Sequence, residues 1–175
     1  MRTAAQRILT AFALLVPAWI TGCAIFPATE VNSAHPAVFQ DGDQPHARVY
    51  FIRPRTERPM GEADNALTIS VNQQPLLTLI KGEYTLVNMK PGPADITVST
   101  TTAMNLKADR LRQRRHSEEF TFSAHKTYYI VMQMINGEFR GIYHVPEQVA
   151  PMRARRIIEH LRPIGAAADE PINPV

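Results

Sequence analysis

The residues that could do chemistry here are one cysteine and a set of arginines and lysines. Cys23 is the only cysteine among 175 residues. A lone thiol closes no intramolecular disulfide and builds no cysteine-based zinc site. It follows the apolar run Ile8–Ile20, interrupted only by Thr10, and the small residues Thr21 and Gly22. Arg2 and Arg7 precede that run, with no acid beside them. A positive start, a short apolar stretch and small boundary residues make a secretory signal. A membrane-spanning helix is the competing reading, because apolar character continues to Phe26 and a span needs about 20 such residues. Pro17, Thr21 and Gly22 weaken that helix, and Pro27 ends it.

Ile20-Thr21-Gly22-Cys23 resembles the lipobox of bacterial lipoproteins, in which an aliphatic residue and two small ones precede the cysteine. The resemblance implies cleavage before Cys23, a diacylglyceryl group on its sulfur and an acylated new amine. Each buried methylene contributes about 0.8 kcal/mol, and two or more chains anchor stably. It also implies a cell-envelope address. Ala24, rather than Asp, points to the inner leaflet of the outer membrane, facing the periplasm. The expected organisation is then a signal peptide over 1–22, an acylated cysteine and flexible tether over 23–45, and a folded domain from His46. Pro27, Pro36 and Pro45 discourage regular structure in the tether. The membrane, reached through the lipid on Cys23, is the expected partner.

The net charge of +3 belongs partly to the leader. Without Arg2 and Arg7, 17 basic residues face 16 acidic ones, a net of +1. That balance argues against a nucleic-acid partner, which calls for a clearly basic face.

Among the remaining cations, Arg53 ends an apolar strand pattern, and its planar fork could hold a carboxylate or phosphate. The plainer alternative is a structural arginine that pairs with a neighbouring acid or covers the sheet edge. Lys107, Arg110, Arg112, Arg114 and Arg115, with His116, form a basic loop over 107–116. It could meet anionic lipid headgroups or an acidic partner. Its alternative is a solvated loop answered by Glu118 and Glu119. The six histidines form no helical i, i+4 pair and no metal motif. No Gly-x-Ser-x-Gly elbow, Ser-x-x-Lys or glycine-rich loop before a helix is present. No catalytic residue, metal or cofactor is therefore expected.

What must position these residues is mostly strand. "HARVYFIRP" is β-rich and stops at Pro54. In "LTISVN", Leu67, Ile69 and Val71 alternate with Thr68, Ser70 and Asn72, as a half-buried strand does. "LLTLI", "YTLVNM", "ADITVSTT", "SEEFTFSA", "KTYYIVMQMI" and "EFRGIYHV" continue the pattern. Turn signals such as Lys90-Pro91-Gly92-Pro93 and Asn136-Gly137 separate them. About 7–8 short strands with turns every 8–12 residues predict a mainly β protein, an antiparallel β-sandwich or open barrel. Ala150, Ala154, Ile157, Ile158 and Leu161 share one helical face, which predicts a C-terminal amphipathic helix over 147–162. The domain thus spans 46–162, and 163–175 reads as a disordered tail.

The order of short motifs in this domain resembles a family of bacterial lipoproteins known only as domain-of-unknown-function 2846. "VYFIRP", a loop with Gly61, "ISVNQQPLLTLIKGEY", "KPGPADITV" and "KTYYIV" fall in the family's order, from Ala47 to Met134. Asn72-Gln73 departs from the family's Asp-Gly turn, and Pro93-Ala94-Asp95 stands where a basic residue is usual. The resemblance implies a β-sandwich and an envelope location, and no activity.

The resulting expectation is a lipid-anchored, non-enzymatic binding or assembly module of the cell envelope. An accessory subunit of an envelope secretion or transport complex, docking an envelope protein through the C-terminal helix, is the alternative. A hydrolase of envelope polymers is a weaker one.

Overall fold

The structure, a computed structural model, describes residues 30–39, 44–55, 66–103, 111–137 and 141–172. Along them run β1 (Glu30–Val31), β2 (Ala47–Arg53), β3 (Ala66–Val71), β4 (Gln74–Ile80), β5 (Glu83–Met89) and β6 (Gly92–Ala103). Then come β7 (Leu111–Phe122), β8 (Thr127–Gly137), β9 (Gly141–Gln148), α1 (Pro151–Ile158), β10 (Arg162–Ile164) and α2 (Ala166–Asp169). The strands form two five-stranded sheets, ordered β1-β4-β3-β6-β7 and β10-β5-β2-β8-β9. This is the expected sandwich with a C-terminal helix. The first sheet is antiparallel throughout. The second is mixed, because β2 pairs with β8, and β5 with β10, in parallel.

Strand alternation explains the different textures of the two sheets. Between them, Val49, Phe51, Leu67, Ile69, Val71, Val87, Ile96, Val98, Ile130 and Met132 form the main core. On the first sheet the other face is polar, so β3 alternates between buried and half-buried positions. On the second sheet both faces are covered. Tyr50, Ile52, Tyr84, Leu86 and Val131 pack outward against Ala154, Ile158, Ala167 and Ile172 of the C-terminal segment. Burying a large apolar side chain contributes about 1.5–3 kcal/mol, so this second layer is a substantial part of the fold. Tyr50 shows how polar tips are handled there. Its hydroxyl donates to the Glu170 carbonyl at 2.9 Å and accepts from Arg48 Nη2 at 3.1 Å. Burial pushes the Tyr50 phenol up, against the lowering influence of Arg48. Burial likewise pushes up that of Tyr84.

Several expected boundaries are corrected. The helix begins at Pro151 rather than Glu147, because proline fits only the first helical turn. Residues 147 and 148 instead finish β9, and Arg162 opens β10. The tail expected to be disordered packs on the second sheet through Ala167 and Ile172, which are buried. The tether expected over 23–45 is likewise part of the fold at 30–39. There β1 pairs with β4, Val38 bridges to Met89, and Phe39 N donates to Asn88 O at 2.9 Å. This segment runs from an edge of the first sheet to an edge of the second, and with β10 it covers strand edges that would otherwise invite pairing. The basic loop expected over 107–116 is strand from Leu111 onward. The β8–β9 hairpin exists, but Asn136 and Gly137 end β8, opposite Ile142 and Gly141, instead of forming its turn.

Candidate functional site

Inward alternation along β2 places Ala47, Val49 and Phe51 in the core, and Arg53 is the next residue of that face. It lies where the sandwich ends, and it is 1% exposed. A buried guanidinium must be hydrogen-bonded. Arg53 Nη1 donates to the Leu79 carbonyl of β4 at 2.9 Å, crossing from the second sheet to the first. Directly opposite Arg53 on β5 is Glu83, whose side chain is 3% exposed and pairs with Arg162 of β10. A carboxylate thus stands between arginine positions on two neighbouring strands. The structural reading of Arg53 is the one the geometry supports, rather than an exposed grip for an anion.

Gly82 is the hub of this end. Its N–H donates to Arg53 O at 3.1 Å, and its carbonyl accepts from Arg162 N at 2.9 Å. Its φ is +80°, and a Cβ there would lie 2.9 Å from Arg55 Cγ and Nε. Only glycine permits both the left-handed turn and the arginine stem laid against it. The "RP" and "GEY" motifs are therefore two halves of one structural joint, with Ile52 opposite Tyr84 and Arg53 opposite Glu83. Asn72 and Gln73 adopt φ of 50° and 67°, the two left-handed positions of a tight hairpin turn. They preserve the geometry of an Asp-Gly turn despite the different residues.

The basic run is split by strand geometry. Arg112 pairs with Thr102, Arg114 with Thr100 and Arg115 with Ser99. Arg114 is half-buried, and the exposed Arg115 points to the opposite face. Lys107 and Arg110 lie outside the described residues. Of the expected anion contacts whose side chains are described, Arg115 lines an open concave surface. This is a depression of about 460 Å³ on the outer face of the first sheet, lined by Thr68, Ser70, Thr97, Ser99, Arg115 and Ser117 among others. Its groups bond one another: Thr97 Oγ1 and Ser117 Oγ are 2.7 Å apart, and Arg115 Nη2 donates to Gln113 Oε1 at 2.8 Å. Hydroxyls both donate and accept, so such a face suits a polar ligand, and the guanidinium favours one carrying negative charge.

The histidines are dispersed. His35, 4% exposed, accepts from Ala37 N at 3.1 Å through Nδ1, and its Nε2 faces the Gln74 carbonyl at 3.2 Å. Among the described residues no group of three His, Cys, Asp or Glu side chains could hold a metal ion. No helix among them is long and apolar enough to cross a membrane. Sequence reasoning missed Glu83, Gly82 and Arg162. The glycine in "KGEY" was the one available signal, since nothing in the sequence announces that a glutamate is buried.

The family model described as "Protein of unknown function (DUF2846)" matches residues 43–143, more than half of the chain. No curated protein and no solved structure matches.

Proposed function

We propose that this chain, which belongs to the DUF2846 family, is a lipid-anchored, non-enzymatic binding or assembly module of the bacterial cell envelope. The anchor is Cys23, and the expected site is the inner leaflet of the outer membrane. The observation that carries the binding role is the asymmetry of the two outer faces. The chain covers the second sheet with its own C-terminal segment, while the first sheet keeps an open, concave, hydroxyl-lined face with Arg115 beside it. Fixing such a face to a membrane raises its effective concentration against envelope partners.

The C-terminal helix has less to offer as a docking piece. Ala154 and Ile158 are spent on the sandwich, and its outward residues include Arg153, Arg155 and Arg156. Met152 is the exposed large hydrophobic residue there.

Two measurements test this reading together. Metabolic labelling with a clickable fatty acid should tag the wild-type chain and leave Cys23→Ala unlabelled and released from membranes. Photo-crosslinkers placed at Ser70 or Thr97 should capture an envelope component that Arg115→Glu weakens. An unlabelled wild type sinks the anchor. Capture that is equally strong from an exposed position on α1, such as Arg155, sinks the binding face.

A further inference from the structure

The start of the described chain, Glu30, and a cluster of cations lie towards the same end of the sandwich. β1 runs antiparallel to β4, with Glu30 opposite Thr78. Glu30, the first described residue, therefore lies towards the Lys81–Gly82 end of β4. Only seven steps separate Glu30 from Cys23, a reach of about 25 Å at full extension. A tether running to residue 45, as the sequence suggests, would reach roughly three times as far.

The Lys81–Gly82 end is where cations gather by construction. Arg55 is exposed and lies against Gly82, Lys81 precedes it, and Arg162 hydrogen-bonds to it through the backbone. The Arg162 side chain is 68% exposed although it pairs with the buried Glu83.

We infer that this end of the sandwich faces the lipid layer, with Arg55, Lys81 and Arg162 taking the phosphate groups of anionic headgroups in the leaflet that holds the protein's own acyl chains. The inference rests on the Cys23 anchor and adds an orientation to it. The short tether keeps the domain at the surface, and the cations select the face that meets it. The hydroxyl-lined face of the first sheet then stands roughly upright beside the membrane. Near an anionic surface each cation strengthens association roughly five-fold at modest salt.

The test uses the acylated full-length mature protein on vesicles of phosphatidylcholine with or without phosphatidylglycerol. Ala66→Cys reports the Lys81–Gly82 end and Gln74→Cys the opposite end, each read by its reaction rate with a bulky, membrane-impermeant maleimide. On phosphatidylglycerol vesicles Ala66→Cys should react several-fold more slowly than it does on phosphatidylcholine alone, and Gln74→Cys should not change. Arg55→Gln with Lys81→Gln, which keeps both partners of the Arg162–Glu83 pair, should abolish the protection. Unchanged rates, or protection that survives the charge removal, would overturn the orientation and leave the anchor standing. Mass analysis that shows no acyl group on Cys23 removes both.

Discussion

Arg53 occupies a position where alternation along a strand calls for a core side chain, and it is a cation. The arrangement is stable because the strand reaches the end of the sandwich there, within range of the Leu79 carbonyl of the other sheet. Replacing it with methionine keeps the stem and removes the donor. The loss should be about 1.5–3 kcal/mol, the usual effect of breaking a buried bond to a charged group, seen as a lower urea midpoint with an unchanged slope. A fall below about 0.5 kcal/mol, the range of ordinary surface substitutions, would show that the bond contributes little. The buried phenols set a second expectation. Tyr50 and Tyr84 are both pushed up by burial, so the folded state holds their protons after the unfolded chain has begun to release its own near pH 10. Their contribution is complete below that pH and is lost as pH rises through the raised values. The urea midpoint should therefore decline from pH 9 to pH 11, and less steeply in Tyr50→Phe, a comparison made relative to the wild type. Tyr128 is shifted the opposite way, lowered by its hydrogen bond with Ser123, so the decisive reading is the difference between the two proteins, and a slope in Tyr50→Phe equal to that of the wild type contradicts the assignment.

At the scale of elements, the eight strands β2 to β9 are the ones the sequence marks, and their legibility has a simple cause. In β3 one face meets the core and the other meets water, so the residues alternate. In β2 and β5 both faces are covered, so apolar residues follow one another without alternation, as in Val49–Ile52 and Leu86–Val87. β1 and β10 are two and three residues long, too short to leave a periodic signal. The stretch after Arg162 is small and proline-containing, and it reads as a tail. It nevertheless packs, because Tyr84 and Leu86 offer an apolar surface that only the folded sheet assembles. Deleting 163–175 should expose that surface. We expect a clear loss of thermal stability and increased binding of a hydrophobic dye, measured alongside the intact chain. An unchanged melting temperature would mean that the segment rests on the sheet without stabilising it. The basic run fails for the converse reason. Five cations in nine residues read as a solvated loop, yet β7 is an edge strand, where long polar side chains are accommodated on both faces.

For the whole molecule, the residues between 30 and 39 change the physical picture most. A long flexible tether would let the domain sample the space above a membrane freely. A chain that joins the first sheet at Glu30 and the second at Val38 is part of the domain, and only seven steps along the sequence then separate it from Cys23. By itself the sequence determined the element types, the mainly β class and the family. Each is local, or lies in the order of short motifs along the chain. The pairing of β2 with β8, the meeting of Arg53, Gly82, Glu83 and Arg162, and the covering of the second sheet were decided only in three dimensions. These contacts join residues some 30 to 120 positions apart, and no local pattern encodes which distant partner will satisfy a buried charge or cover an apolar face.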